Sequence, residues 1–373
     1  MPLKKPNVIT GDLTIYAIDF APDGRLVTGG SVYLDSSVQN RIDVYNFSGK
    51  VNKLSPFTSL SLESFRSNDI SLAVHPSSSM LAVGLSVPQS SSAAKDCKIL
   101  DITETSIVPR LAVRTNSNSN HQYTQIITRF SASGRHLIAG FDDGKLAVLR
   151  YPSMAGMFPP LSVGEILDLD AQTHCNEELL AVASSKAIQL INVRTGATIE
   201  VIESPMLNQT TAGTFAACRF GRMNHRGYLY TVINVSSKNK TGAFICLWRL
   251  GKRIHSSIRQ DKTASVTRSP ITAFNMSADG SLLAFATEDL SVGLIDASTL
   301  QPIYRVRNAH TSPIFTISLS VDNAYIASAA GKQLRVAPLP KSISTGFDYS
   351  SPIYVFLSML MFALFAHMLV LKY

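Results

Sequence analysis

Ile18-Asp19-Phe20, Ala21-Pro22-Asp23-Gly24 and Leu26-Val27-Thr28-Gly29 follow one another near the start of the chain. They read as an apolar run, a small polar turn, and a second apolar run that ends in small residues. The same order returns as Ile126-Ile127-Thr128-Arg129-Phe130, Ser131-Ala132-Ser133-Gly134 and His136-Leu137-Ile138-Ala139-Gly140. It returns again as Ile271-Thr272-Ala273-Phe274, Ser277-Ala278-Asp279-Gly280 and Leu282-Leu283-Ala284-Phe285. Short strands that repeat at roughly 40 to 57 residues cannot each bury an apolar face alone, and they mark a β-propeller.

Working outward, about seven copies can be placed. First strands fall near 18–20, 70–74, 126–130, 166–169, 215–220, 271–274 and 314–319. Second strands follow near 26–28, 80–83, 136–139, 179–183, 228–233, 282–286 and 325–328, and third strands near 41–47, 97–102, 145–151, 187–193, 243–250, 292–296 and 334–339. A fourth, outer strand fits between copies, as at 197–201 and 302–305. The small residues ending the second strands suit a crowded zone near the axis. The last copy stops after its third strand, so the closing strand is expected from the N-terminus, around 5–13, which removes free sheet edges.

The fold class read from this pattern is all-β, a seven-bladed WD-like β-propeller over residues 1–340. A linker at 341–352 and a single C-terminal transmembrane helix at 353–371 follow. That last run is apolar, with Ser358 and His367 as its polar interruptions, and is long enough to span a bilayer. The N-terminal Met1-Pro2-Leu3-Lys4-Lys5-Pro6-Asn7 has no apolar run of signal-peptide length. The propeller is therefore expected in the cytosol, and the short span suits the thin endoplasmic-reticulum bilayer. The sequons at Asn46, Asn208, Asn234, Asn239 and Asn275 should then carry no glycan.

Net charge is +8, with 16% charged residues and 45% hydrophobic ones. That balance favours acidic partners or an anionic membrane surface. The densest basic groups, Lys4-Lys5, Lys238/Lys240 and Lys252-Arg253, form no run, which speaks against nucleic acid as a partner. Cys97, Cys175, Cys218 and Cys246 lack zinc spacing and read as buried, reduced thiols. No nucleophile elbow, phosphate loop or His-Glu-x-x-His motif is present, and the first strands are mainly apolar. The chain is not expected to be an enzyme in the covalent sense.

The links between second and third strands differ. The third copy uses the tight turn Asp142-Asp143-Gly144, the fourth Ser184-Ser185-Lys186. The first copy instead has a long loop from Gly29 to Asn40. Long links also occupy 86–96 in the second copy and 234–242 in the fifth.

Three features together resemble a known family. They are Leu26-Val27-Thr28-Gly29-Gly30 with the long loop and Asn40-Arg41-Ile42; Asn308-Ala309-His310 with Asp322-Asn323-Ala324-Tyr325; and Val336-Ala337-Pro338-Leu339-Pro340 before the apolar run. The chain resembles the membrane-anchored guanine-nucleotide exchange factors of the Sar-type small GTPase (the prolactin regulatory element-binding protein family), which start COPII coat assembly on the endoplasmic reticulum. The resemblance implies a cytosolic propeller, a Sar-type GTPase partner and an endoplasmic-reticulum membrane location. It also implies that Asn40 reaches into the GTPase and opens its nucleotide site, with Gly29, Gly30, Ser31, Asp35, Gln39 and Arg41 as the GTPase-binding loop. In some members that loop is glycine-rich and folds around potassium; here only Gly29 and Gly30 remain, with backbone carbonyls and Asp35 as the donors on offer. The rival reading is a membrane-tethered WD-like scaffold without exchange activity. His310 and Trp248 read as structural residues of their blades.

Overall fold

In a computed structural model of the chain, the described residues are 5–340 apart from 36, 49–52, 63–69, 88–94, 117–122, 209–210, 238–239 and 252–257. The linker and the apolar run, 341–352 and 353–371, lie outside them. The described chain is all-β, built from antiparallel strands joined by short turns.

Unit 1 sets the pattern with Thr14–Phe20, Leu26–Tyr33, Val38–Ser48 and Lys53–Ser61 side by side in sequence order. The innermost strands of the successive units are Thr14–Phe20, Ile70–Val74, Tyr123–Phe130, Asp168–His174, Thr214–Phe220, Ile271–Met276 and Thr316–Leu319. Each neighbours the next, and the last neighbours the first, so they close around one axis. This arrangement is consistent with a propeller. The closing strand is Asn7–Thr10, paired antiparallel to Gln333–Pro338 in the register Asn7↔Val336 to Thr10↔Gln333. It lies within the stretch expected from sequence. Units 2 and 3 are also joined through the pairs Tyr123↔Val87 and Thr124↔Ser86.

The apolar cores lie between units. Val27, Ile42 and Val44 of unit 1 pack with Ile70, Leu72, Leu81 and Leu100 of unit 2. Ile15, Ile18 and Leu26 pack with Ala327, Leu334 and Val336 of unit 7. This explains why inner strands are apolar on both faces: each face meets a neighbouring sheet. It also relocates the small residues. A Cβ on Gly29 would come within 2.7 Å of Leu72, and one on Gly84 within 2.6 Å of Gln125 and Thr128. The crowding is between one unit's second strand and the next unit's first strand, rather than at the axis.

The turns after the innermost strands share one face of the ring. His75 Nε2 lies 3.2 Å from the Gly134 carbonyl, which joins the turns of units 2 and 3. Asn323 Nδ2 lies 3.4 Å from Ser281 Oγ, which joins those of units 7 and 6. The opposite face carries the links between second and third strands, and with them the unit 1 hairpin.

Candidate functional site

Two places concentrate polar side chains. The first is the axis, where the innermost strands line a cavity of about 410 Å³. The apolar reading of the first strands left its charges out. Arg129 donates to Asp168 at 3.3 Å, and Asp168 also pairs with Arg219 and accepts from the Cys218 backbone N–H at 3.0 Å. Arg219 reaches on to the Phe274 carbonyl at 2.9 Å, and Asn275 Nδ2 to the Ile317 carbonyl at 3.2 Å. Ser318 donates to Asp19 at 3.2 Å, and Asp19 accepts from the Val74 backbone N–H at 3.2 Å. Ser71 hydrogen-bonds Thr128 at 2.7 Å. Each bond crosses from one innermost strand to the next, so the charges form a closed seam around the axis. Burial raises the Asp19 carboxyl above its ordinary value. Burial and the neighbouring Arg219 pull Arg129 down. For Arg219, burial opposes the charge, but Asp168 and Asp170 outweigh it and hold the guanidinium above its usual value. Polar groups bonded from strand to strand in this way hold the ring shut, although Arg129 Nε is left buried without a hydrogen-bond partner among the described residues.

The second place is the link between the second and third strands of unit 1. It is not a loop. Leu26–Tyr33 pairs along its whole length with Val38–Ser48, from Leu26↔Tyr45 to Tyr33↔Val38. Leu34 N–H bonds the Ser37 carbonyl at 2.8 Å, and Ser37 N–H returns to the Leu34 carbonyl at 3.3 Å. Polar composition suggested a loop because it hid the alternation that cross-strand pairing uses. The flanking strands end sooner. The first strand's last partner is Ser31, and on the other side the Leu62 N–H reaches the Asn40 carbonyl at 2.8 Å. The described residues 32–35 and 37–39 therefore project past their sheet as a two-stranded finger.

The residues named from sequence are distributed along this finger. Gly29, Gly30 and Ser31 are buried in its inner strand. A Cβ on Gly30 would sit 2.1 Å from the Thr14 carbonyl oxygen, so this glycine permits a close backbone approach where the first strand bulges between Ile15 and Ala17. Asn40 is paired with Ser31 and only 1% exposed; its Oδ1 accepts from Ser31 Oγ at 2.7 Å. Its Nδ2 is buried and has no hydrogen-bond acceptor among the described residues. Arg41 grips Asp12 through two bonds of 3.0 and 2.6 Å and bonds Asp43 at 3.0 Å. Its hydrogen bonds to Asp12 raise the guanidinium further and lower the Asp12 carboxyl, while burial raises Asp43. Gln39 is half-buried, and Asp35 stands exposed at the tip. The structure thus brings Ser31, Asn40 and Arg41 together at the base of the finger and leaves Asp35 apart.

Sequence reasoning passed over Tyr33 and Leu34, which are 48% and 53% exposed at the tip. The Tyr33 hydroxyl bonds that of Tyr16, on the innermost strand, at 2.9 Å. The available signal was the apolar run Val32-Tyr33-Leu34 inside an otherwise polar link.

The described residues of the finger show no cage for a potassium ion. Leu34 and Ser37 bond one another across the tip, the two strands beneath them pair as a ladder, and Asp35 is exposed.

Among the other sequence readings, Cys97, Cys218 and Cys246 are buried and free, but Cys175 is exposed. It sits with Asn176 in a two-residue turn at positive φ, 50° and 65°, which holds it away from the core. His310 Nε2 meets Ser328 Oγ at 2.7 Å in the interior, and Trp248 Nε1 donates to Thr231 Oγ1 at 2.9 Å. The sequon residue Asn234 is committed to both backbone groups of Ile271, at 2.9 Å each.

No family model matches the chain. SEC12-like protein 2 of Arabidopsis thaliana is 25% identical to it over 215 residues. The match covers 55% of this chain and 49% of the relative, so it spans about half the relative's length. Together with the all-β ring, this similarity supports a distant kinship with SEC12-like propellers. Among the described residues, no helix is long and apolar enough to cross a membrane.

Proposed function

We propose that the chain is a guanine-nucleotide exchange factor for a Sar-type small GTPase, that its unit 1 finger meets the GTPase, and that residues 353–371 hold it at the endoplasmic-reticulum membrane. The observation that carries this reading is the finger: exposed Tyr33 and Leu34 at its tip, over a buried asparagine with an unpartnered donor at its base. Exchange needs no covalent chemistry. A small GTPase holds nucleotide through a phosphate-binding loop, magnesium and ordered switch segments. A factor that binds the nucleotide-free form more tightly must, by linkage, weaken nucleotide binding by the same factor.

Within this reading, Tyr33 and Leu34 make the first contact, because they are the exposed apolar groups of the finger. Asn40 acts second. A buried donor without an acceptor costs about 1–3 kcal/mol, and an acceptor from a GTPase switch would relieve that cost. An amide can replace both a donor and an acceptor that the switch gives up. Arg41, clamped by Asp12 and Asp43, braces the base.

The test is release of fluorescent GDP from a purified Sar-type GTPase with and without the full chain in detergent or vesicles. Acceleration is expected for the wild type, with loss in Tyr33→Ser/Leu34→Ser and in Asn40→Ala. One observation favours the scaffold reading: Asn40 is 1% exposed, so it cannot touch a partner unless the finger opens. If wild-type chain binds the GTPase but leaves release unchanged, the scaffold reading stands. If Asn40→Ala alone retains full acceleration, the asparagine loses its assigned role.

A further inference from the structure

The face opposite the finger carries unpartnered charge of its own. In unit 5 the turn after the innermost strand contains Arg222, Met223, Asn224, His225 and Arg226. Met223 is 59% exposed and sits at φ 46°, in the left-handed region that a non-glycine residue rarely adopts. Arg226 is also exposed. A bond of 2.8 Å from Leu250 N–H to the Gly227 carbonyl ties this turn to the end of the strand Lys240–Arg249. There Tyr228, Arg249 and Arg259 stand in one row across three strands, and the Arg249 guanidinium lies 5.7 Å from the centre of the Tyr228 ring.

Arg249 and Arg259 are directly opposite in an antiparallel pair, where like charges repel. Arg226, Arg249 and Arg259 form no ion pair with another described residue. Asp261, on the same outer strand as Arg259, forms none either. Arg222 is the basic residue of this corner that has one, with Asp170 at 3.6 Å. Arg249 and Arg259 are thus held side by side next to the turn that carries Arg226, and none of the three has an ion-pair partner among the described residues.

The path of the chain adds a second observation. Leu339 N–H bonds the Ala324 carbonyl at 2.8 Å, beside the unit 7 turn on this same face. From there residues 341–352 can extend at most about 40 Å before the apolar run 353–371 begins. A bilayer that takes up that run lies within this distance of the end of unit 7, where the chain leaves the ring on the face that carries the basic corner.

We infer that the unit 5 corner, Arg226, Arg249 and Arg259 with the adjoining Met223, rests on an anionic lipid surface. The guanidinium groups meet headgroup phosphates and carboxylates, and the methionine enters the apolar boundary below them. This inference rests on reading 353–371 as a membrane span.

The experiment uses the full chain carrying Met223→Trp, reconstituted in vesicles of brominated phosphatidylcholine, alone or mixed with phosphatidylserine. Trp248, the chain's single native tryptophan, is buried, and the wild-type chain gives its background. Quenching of the new tryptophan is expected with phosphatidylserine and not without it. Adding R226E, R249E and R259E should lower the ratio of docked to undocked domain by at least about a hundredfold, removing the quenching. Equal signals with and without phosphatidylserine, or quenching that survives the triple reversal, would overturn the inference. Alkaline extraction of the same vesicles keeps the two readings apart. A chain that stays in the pellet without quenching refutes only the corner; a chain released into the supernatant refutes the span beneath it.

Discussion

The seam at the axis and the finger of unit 1 are built from the same kinds of residue and treated in opposite ways. At the axis, Asp19, Asp168, Arg219, Asn275 and Ser318 lie on innermost strands, and each bonds to the next unit. In the finger, Tyr33, Leu34 and Asp35 face solvent, and Asn40 has a buried amide nitrogen with no acceptor. A polar group close to a functional cavity is therefore a poor guide to function here. Arg129 Nε in the seam is buried without an acceptor just as Asn40 Nδ2 is, so an orphan atom alone does not separate the two regions. What separates them is that the seam's side chains bond from unit to unit while the tip of the finger faces solvent. The cross-linked seam is read as structure, and the exposed finger as the part kept for a partner.

Asp168→Ala should have the largest effect on this contrast. Asp168 serves the Cys218 N–H, Arg219 and Arg129 at once. Its loss leaves the Arg219 guanidinium buried without its carboxylate, which costs about 3–5 kcal/mol. Urea denaturation of the variant should show that loss, whereas Leu34→Ser in the finger should leave the midpoint unchanged. If the seam variant is as stable as the wild type, the axis is not holding the ring and becomes open to a functional reading.

The next effect is a pH dependence on the finger's face of the ring. Burial pulls the His310 imidazole down to about 4 from 6.5. The unfolded chain therefore binds a proton there at a higher pH than the folded chain does. Stability contributed by the neutral ring is fully present above pH 6.5 and is lost as pH falls toward 4, by up to ~3 kcal/mol. Denaturation midpoints measured across that window should drop in the wild type and drop less in His310→Gln. Equal slopes would place the acid sensitivity elsewhere.

Much of the ring was legible in the sequence because one physical signal repeats. The apolar run, the polar turn and the small-residue ending recur wherever a strand is covered on both faces, and the closing strand Asn7–Thr10 follows from the missing fourth strand of the last copy. The seam was not legible. Asp19, Arg129, Asp168 and Arg219 are single charges inside apolar runs, and they find partners only across units, as with Asp19 and Ser318 at opposite ends of the chain. The finger was half legible. Its length and Asn40 were visible, but its strand pairing was not, because polar residues on a two-stranded projection have no buried face to impose alternation. Gly29 and Gly30, read as loop glycines, are explained by the approach of Leu72 and of the Thr14 carbonyl.

Asn40→Ala tests the middle of the comparison. The substitution removes the Ser31 hydrogen bond, and it also removes the orphan donor. The two terms oppose, so the net change in stability should be within about 1 kcal/mol. A loss well above that, measured by urea denaturation, would mean that the amide nitrogen has an acceptor in the folded chain, and the case for an under-satisfied finger would weaken.

The smallest effect separates contact from support at the tip. Tyr33→Phe removes one exposed hydroxyl pair with Tyr16 and keeps the ring. Exposed hydrogen bonds are exchanged for water at little net cost, so stability should change by about 0.5 kcal/mol or less. If the aromatic face of Tyr33 meets the GTPase, Tyr33→Phe keeps acceleration of nucleotide release while Tyr33→Ser loses it. If instead the hydroxyl pair sets the angle of the finger, Tyr33→Phe and Tyr16→Phe fall together, because either change removes the same bond. The second pattern would make the innermost strand of unit 1 part of the functional surface, and the boundary between seam and finger would move inward to Tyr16.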